Sequence, residues 1–221
     1  IMHFTLADLA ADITQNAAES GADTVELEIR ETFSGKAEFR FIVKDNGKGM
    51  SGADLDRAVD PFVTDGIKHP GRRVGLGVPF LIQTALQSGG GWKIRSVRGG
   101  EIALRGSDTA GAAKTAGGAE TAAGTAESGT AGHTGTAVEA WFDSANVDTP
   151  PVGDIPGLFR TVMLFSGPKE IILKRSRTGG SDPGLKYEVK KSDLADALGD
   201  MEDASSLALL GKYLRSLEED E

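Results

Sequence analysis

Hydrophobic residues near the start of the chain recur at intervals of three and four, the period of an amphipathic helix. The residues with this spacing are Leu6, Leu9, Ala10, Ile13 and Ala17. Gly21 follows them and is suited to end the helix. The pattern then changes to strict alternation, which predicts two strands with one buried face each, joined by a hairpin turn at Ser34-Gly35-Lys36. The inward residues are Val25, Leu27 and Ile29 in the first strand and Phe39, Phe41 and Val43 in the second.

Helical spacing returns after the second strand. Leu55, Ala58, Val59 and Phe62 predict a short helix that begins near Ser51, since Ser51 and Asp54 suit a helix entrance. A polar loop over residues 64–73 precedes an apolar, helix-length stretch over 78–86, in which Pro79 is acceptable in the first turn. Residues 92–97 and 101–105 read as two further strands.

The composition changes sharply after residue 105. Residues 106–133 contain no leucine, isoleucine, valine or aromatic side chain, so they cannot bury enough apolar surface to offset the entropy of ordering. We interpret them as a flexible insert within a domain that spans residues 1–147. A C-terminal α+β extension over 148–221 follows, with a helix over 155–165, strands over 171–174 and 185–189 joined by a turn at Gly179-Gly180, and an acidic helical tail.

The leucines of the tail form an apolar stripe at helical spacing: Leu194, Leu198, Leu207, Leu210, Leu214 and Leu217. Such stripes usually pack against their own domain, and we favour that interpretation. The alternative is a docking helix for a basic or apolar protein partner.

Charge and composition exclude several classes of function. The net charge of −9 argues against a general binder of nucleic-acid backbones, which needs a basic surface. The absence of cysteine rules out disulfides, thiolate catalysis and zinc-thiolate sites. The start lacks the apolar block of a signal peptide, and no apolar run approaches about 18 residues. We therefore expect a soluble, cytoplasmic protein without a membrane segment.

Three short segments carry candidate chemistry. Asp45 ends a strand and is followed by Gly47 and Gly49, which let a ligand approach the backbone closely, so its carboxylate can accept the exocyclic amine of adenine. An ordinary Asp-Asn-Gly turn is the alternative. Gly75 and Gly77 lead into a helix whose first amides lack partners and suit phosphate, although a plain glycine-rich loop would look the same.

The third segment is the pair Asp12 and Asn16 on the first helix. They lie four residues apart and therefore on one helical face. The carboxamide oxygen of Asn16 is a suitable hard ligand for Mg²⁺, and Asp12 is placed to orient or activate a water molecule or to support the metal shell. Two solvent-facing polar residues are the alternative interpretation.

Taken together, these segments resemble the ATPase domain shared by DNA gyrase, the ninety-kilodalton heat-shock chaperones, histidine kinases and MutL. The matching residues are Asp12-Ile13-Thr14-Gln15-Asn16-Ala17, Asp45-Asn46-Gly47-Lys48-Gly49-Met50 and Val74-Gly75-Leu76-Gly77-Val78. Pro61-Phe62 followed by a threonine, and Thr134-Gly135-Thr136-Ala137-Val138, extend the likeness. The resemblance implies a Bergerat-type α+β two-layer sandwich, in which helices cover one face of a mixed sheet and ATP lies between the layers.

The resemblance also implies roles for individual residues. Asp45 would bind adenine with help from Gly49 and Thr136, Asn16 would hold Mg²⁺, and Asp12 would act in catalysis. The implied nucleotide-binding set is completed by Gly47, Met50, Gly75, Leu76, Gly77 and Val78, with secondary phosphate contacts from Lys48, Lys68, Arg72 and Arg73. The family usually has glutamate where this chain has Asp12, and the shorter side chain weakens the expectation of water activation more than that of binding.

The implied function is a regulatory, Mg²⁺-dependent ATP-binding protein with ATPase or protein-kinase activity. None of the three histidines, His3, His69 and His133, has the context of a phospho-acceptor. Stand-alone domains of this type also occur as anti-sigma serine kinases. The alternative is a non-catalytic ATP-sensing module that docks a protein partner through its C-terminal region.

Overall fold

The computed structural model describes residues 5–62, 77–108, 134–179, 184–199, 201 and 203–219. The elements in these ranges are α1 (Leu6–Ala18), β1 (Thr24–Thr32), β2 (Glu38–Asp45), α2 (Gly52–Val59), α3 (Gly77–Gln87), β3 (Gly91–Arg98), β4 (Glu101–Asp108), β5 (Gly135–Asp143), α4 (Ile155–Met163), β6 (Glu170–Thr178), β7 (Leu185–Lys190), α5 (Lys191–Leu198) and α6 (Ala204–Glu218). Every predicted helix and strand in the described ranges is therefore present.

The strands form one mixed sheet in the order β4-β3-β5-β2-β1-β6-β7. Neighbours are antiparallel except β1 and β6, which run parallel. Alternate residues of β1 are buried, namely Val25, Leu27 and Ile29, while the residues between them are more exposed. Helix α1 packs on β1 and β2, and α3 packs on β3 and β5. The predicted α+β sandwich, with helices on one face of a mixed sheet, is confirmed.

The core lies between the sheet and these helices. Three fully buried phenylalanines from β2 and β5 fill its centre, with the ring of Phe142 centred 6.2 Å from Phe39 and 6.0 Å from Phe41. Burial of one such ring stabilises the fold by about 1.5–3 kcal/mol. The pairing of β2 with β5 continues to Asp45, so the packing of these phenylalanines also fixes where Asp45 lies.

Local signals account for the start and end of several helices. Ser51 caps α2 in a reciprocal capping box with Asp54, as predicted. The same helix ends at Val59, so the prediction that Phe62 belongs to its apolar face is wrong: Phe62 is 93 % exposed. Asp60 adopts an extended conformation, as the residue before a proline does, and the chain leaves the helix there.

The predicted start of the insert, at residue 106, is too early. Strand β4 continues to Asp108, with Gly106 and Ser107 paired to Lys93 and Trp92. Backbone pairing needs no apolar side chain, and a Cβ on Gly106 would lie 2.7 Å from the Trp92 carbonyl oxygen, so the close approach itself favours glycine here. Residues 109–133 lie outside the described ranges, as do residues 180–183 of the predicted turn after Gly179.

The second part of the chain adds to the same sheet rather than folding apart from it. Strand β6 pairs with β1, and α6 packs on α4 with Leu210 and Leu214 fully buried. The interpretation of the leucine stripe as packing surface is confirmed for these residues. The division at residues 147 and 148 remains a prediction.

A buried charge cluster fastens the last helix to the sheet. The guanidinium of Arg175, 2 % exposed, contacts Glu31 of β1 and lies 3.0 Å from Glu218 of α6. The Tyr187 hydroxyl donates to the same Glu218 carboxylate at 2.6 Å. Burial and this contact raise the pKa of Tyr187.

Within the described residues, no helix is both long and apolar enough to cross a bilayer.

Candidate functional site

A cavity of about 370 Å³ opens between α1, α2, α3 and the inner face of the sheet. Its lining contains six of the predicted site residues: Asn16, Asp45, Gly49, Met50, Val78 and Thr136. Lys48 also lines it, and the apolar part of the wall comes from Ile13, Ala17, Val43, Ala58, Ile94 and Val138. Segments that are far apart in sequence therefore meet at one place.

Asp45, the last residue of β2, lines this cavity. Its Oδ1 accepts hydrogen bonds from the backbone N–H of Gly47 at 2.8 Å and from the Ser20 hydroxyl at 3.3 Å. Burial raises the pKa of Asp45, while the donors from Gly47, Ser20 and the Thr136 backbone oppose that rise. The carboxylate is thus held by neutral donors and retains the capacity to accept another hydrogen bond.

Close contacts explain why Gly47 and Gly49 follow Asp45. A Cβ on Gly47 would lie 2.0 Å from the Ser20 hydroxyl oxygen and 2.9 Å from Asp45 Oδ1. Gly49 has a φ of +65°, and a Cβ there would lie 2.0 Å from the Val97 carbonyl oxygen. The glycines therefore let the loop fold tightly beneath the cavity.

A buried hydroxyl joins the loop to the neighbouring strands. Ser96 of β3 is fully buried, and its Oγ accepts the Met50 backbone N–H at 2.7 Å. The same Oγ lies 2.9 Å from the Thr136 hydroxyl and 3.3 Å from the Gly135 carbonyl oxygen, to which it donates. The side chain of Thr136 is consequently fixed beside Asp45, its register partner across β2 and β5.

Ser20 and Ser96 were not identified from the sequence. A signal for Ser96 does exist, because it continues the buried alternation of Trp92 and Ile94 and is a polar residue on an apolar face. Ser20 offers no comparable signal: it follows the end of α1, where a serine is unremarkable.

Asp12 and Asn16 of α1 face the first residue of α3. A Cβ on Gly77 would lie 3.6 Å from Asn16 Nδ2 and 3.9 Å from Asp12 Oδ2. Helix α3 begins at Gly77, and the first amides of a helix have no partner within it. Gly77 and Val78 are thus close to the polar pair on α1, whereas Gly75, Leu76, Lys68, Arg72 and Arg73 lie outside the described residues.

The donor set near Asn16 fits Mg²⁺. This ion takes one or two protein oxygens and completes its shell with water and substrate phosphate. Asn16 carries a carboxamide oxygen and Asp12 a carboxylate, and the two residues lie one turn apart on α1 next to Gly77. Across the ranges that the structure describes, no three acidic or histidine side chains gather into a metal-binding group, so a closed all-protein site is not seen there.

One comparison with known proteins covers the residues that line this cavity. A family model for histidine kinase-, DNA gyrase B-, and HSP90-like ATPases matches residues 4–144. The solved structures that match include the N-terminal domain of a DNA repair protein, with 10 % identity and a TM-score of 0.48; the alignment covers 92 % of this chain and 58 % of that one. A search of curated proteins found no match.

Proposed function

The chain belongs to the histidine kinase-, DNA gyrase B- and HSP90-like ATPase family through an ATP-binding, ATPase-type domain over residues 4–144, and on that premise we propose that it turns over ATP with Mg²⁺ in a regulatory role. The turnover would be hydrolysis or phosphoryl transfer to a protein acceptor. The cavity beside Asp45 is the proposed nucleotide site. The observation that carries this proposal is the half-buried Asp45 carboxylate in the lining of a largely apolar cavity.

Adenine matches this environment in shape and in polarity. The apolar residues Ile94, Val138 and Val78 would contact the faces of the ring, and Asp45 would accept its exocyclic amine. The Thr136 hydroxyl and the backbone at Gly49 lie beside that carboxylate and would complete the polar contacts. Guanine presents a carbonyl where adenine has its amine, so the Asp45 carboxylate would repel it.

The phosphates would then extend toward Asn16 and the start of α3. The amides of a first helical turn and the positive end of the helix dipole favour negative charge near Gly77 and Val78. Lys48, which also lines the cavity, supplies a mobile cation for the same charge. Mg²⁺, when bound with the nucleotide through Asn16, would neutralise part of the phosphate charge.

Asp12 is the proposed catalytic residue. It lies beside Asn16 and Gly77, where its carboxylate can orient a water molecule or an acceptor hydroxyl toward the terminal phosphate and take up the proton. Aspartate is one methylene shorter than glutamate, so we expect the turnover to be slow.

A second candidate is an ATP-sensing module that binds a protein partner through its C-terminal region. The observation that favours it is the pair Leu209 and Tyr213, which are 54 % and 44 % exposed and lie one turn apart on α6. These two side chains are separate from the buried leucines of the same helix, so they can contact a partner while α6 stays in place.

Turnover distinguishes the two functions. The chain is incubated with ATP labelled at the γ-phosphate, with Mg²⁺ or with EDTA, and both free phosphate and labelled protein are measured. We expect Mg²⁺-dependent release or transfer that is reduced in Asp12→Asn. Tight ATP binding with no turnover would favour the sensing module, and the absence of ATP binding would refute both.

A further inference from the structure

The two edges of the sheet differ in how they are protected from pairing with another strand. Strand β7 is six residues long, and its outer face carries Lys186, Glu188 and Lys190. Strand β4 at the opposite edge has eight residues, and on the same outer face of the sheet it presents Ile102 and Leu104, which are 60 % and 40 % exposed. Within the described residues, β4 pairs with β3 alone.

An exposed edge strand offers a row of free N–H and C=O groups to another chain. Proteins usually guard such edges with short strands, proline, bulges or lysine. Strand β7 uses two of these devices, being short and charged. Strand β4 has no proline or lysine in its sequence and pairs with β3 over its whole length without a bulge. Its edge therefore has the features of a pairing surface.

We propose that β4 pairs with β4 of a second copy of this chain, antiparallel and centred on Ala103, so that the two sheets continue into one another. A twofold axis through Ala103 is the simplest closed arrangement, because it uses the same surface on both chains and pairs the β4 edge of each.

The side chains select this register. With Ala103 opposite itself, Ile102 lies opposite the partner's Leu104, and Glu101 lies opposite the partner's Arg105. The outer face then gains two apolar pairs and the inner face two opposite-charge pairs, both of which stabilise antiparallel strands. Arg105 lies on the inner face, where its guanidinium donates to both carboxylate oxygens of Asp56, at 2.7 and 3.0 Å, and to the Leu104 carbonyl oxygen at 2.7 Å. The pair with Glu101 would therefore form beside these contacts or in exchange for them.

Neighbouring registers lose these matches. Centring the pair on Leu104 places Ile102 opposite the partner's Gly106 and Arg105 opposite the partner's Ala103. Centring it on Ile102 places Leu104 opposite the partner's Gly100. Of these three registers, only the one centred on Ala103 pairs Ile102 with Leu104 and Glu101 with Arg105.

The mass in solution tests the interface. By light scattering we expect the wild-type chain to have about twice the mass of its 23.0 kDa subunit. The variant Ile102→Lys/Leu104→Lys should be monomeric, because four lysines would meet across the axis. The matched control Leu209→Lys/Tyr213→Lys changes a similarly exposed apolar pair on α6 and should remain dimeric. Thermal unfolding followed by circular dichroism verifies that each variant is folded.

The register is tested by cross-linking, since the chain has no cysteine of its own. Ile102→Cys and Leu104→Cys are prepared separately, mixed and oxidised. Directly opposite residues are within disulfide reach, whereas diagonal neighbours lie roughly 7–8 Å apart. We expect the mixture to form a covalent heterodimer and each variant alone to cross-link much less.

Three outcomes overturn the proposal: a monomeric wild type at all concentrations, a dimer that survives the lysine pair in β4, or equal cross-linking of the mixture and the single variants. None of these measurements involves nucleotide, so their failure is separate from failure of the proposed ATP site.

Discussion

Replacing Asp45 by asparagine is the most direct test of the nucleotide site, because it changes one oxygen to an amide group and leaves the shape intact. The remaining carboxamide oxygen can still accept from Gly47 and Ser20, which both donate to one oxygen of the native side chain. The new NH₂ group is a donor and would face the adenine amine, which is also a donor. The variant should therefore lose ATP affinity while the fold is retained.

The expected loss of ATP affinity is the sum of two free-energy contributions. A hydrogen bond to a charged acceptor contributes about 1.5–3 kcal/mol, and a buried donor left without an acceptor costs a further 1–3 kcal/mol or so. A combined loss of about 3 kcal/mol corresponds to a more than hundredfold weaker binding of ATP. Stability should change little, because burial raises the pKa of Asp45 and removal of that unfavourably buried charge offsets the poorer contact.

Isothermal titration calorimetry with ATP and with GTP measures the binding, and thermal unfolding measures the fold. We expect wild type to prefer ATP strongly and Asp45→Asn to bind both nucleotides weakly, with melting temperatures within a few degrees of one another. Unchanged ATP affinity in the variant would refute the assignment of adenine to Asp45. A large loss of melting temperature would instead show that the carboxylate is needed for the fold.

Four other substitutions test separate parts of the molecule. Asn16→Ala should weaken Mg²⁺-dependent ATP binding by about ten- to a hundredfold and leave binding in EDTA less affected. Asp12→Asn should reduce turnover and keep ATP binding. Equal losses of binding in both variants, with and without metal, would contradict these roles. Because burial raises the pKa of Asp45, ATP affinity should fall on acidification at a higher pH than it would with an exposed aspartate. Ser20→Ala removes a donor that lowers this pKa, so in parallel titrations the loss of affinity should occur at a still higher pH. Leu214→Ala should lower the free energy of unfolding by about 2–5 kcal/mol in urea denaturation, since Leu214 is fully buried; a negligible change would argue against packing of α6 on the domain.

The sequence by itself determined the elements and the faces that they bury. Alternation in β1 and β2 and helical spacing in α1 are local periods, and each period fixes which side chains share a face. The capping box at Ser51 is likewise complete within four residues. The position of Asp45 at a strand end and the tight packing at the glycines after it were also predictable, because both are encoded within five residues.

The tertiary structure alone decided which of these pieces meet. Thr136 lies opposite Asp45 because β5 inserts between β2 and β3, and the Ser96 hydroxyl contacts that of Thr136 through a register that no local period specifies. The Ser20 contact to Asp45 depends equally on how α1 lies over the sheet. Strand β4 extends to Asp108 through backbone pairing with β3, which side-chain composition does not report. Pairing between strands distant in sequence depends on the packing of the whole core, so the hydroxyl groups that hold the site become visible only in the folded chain.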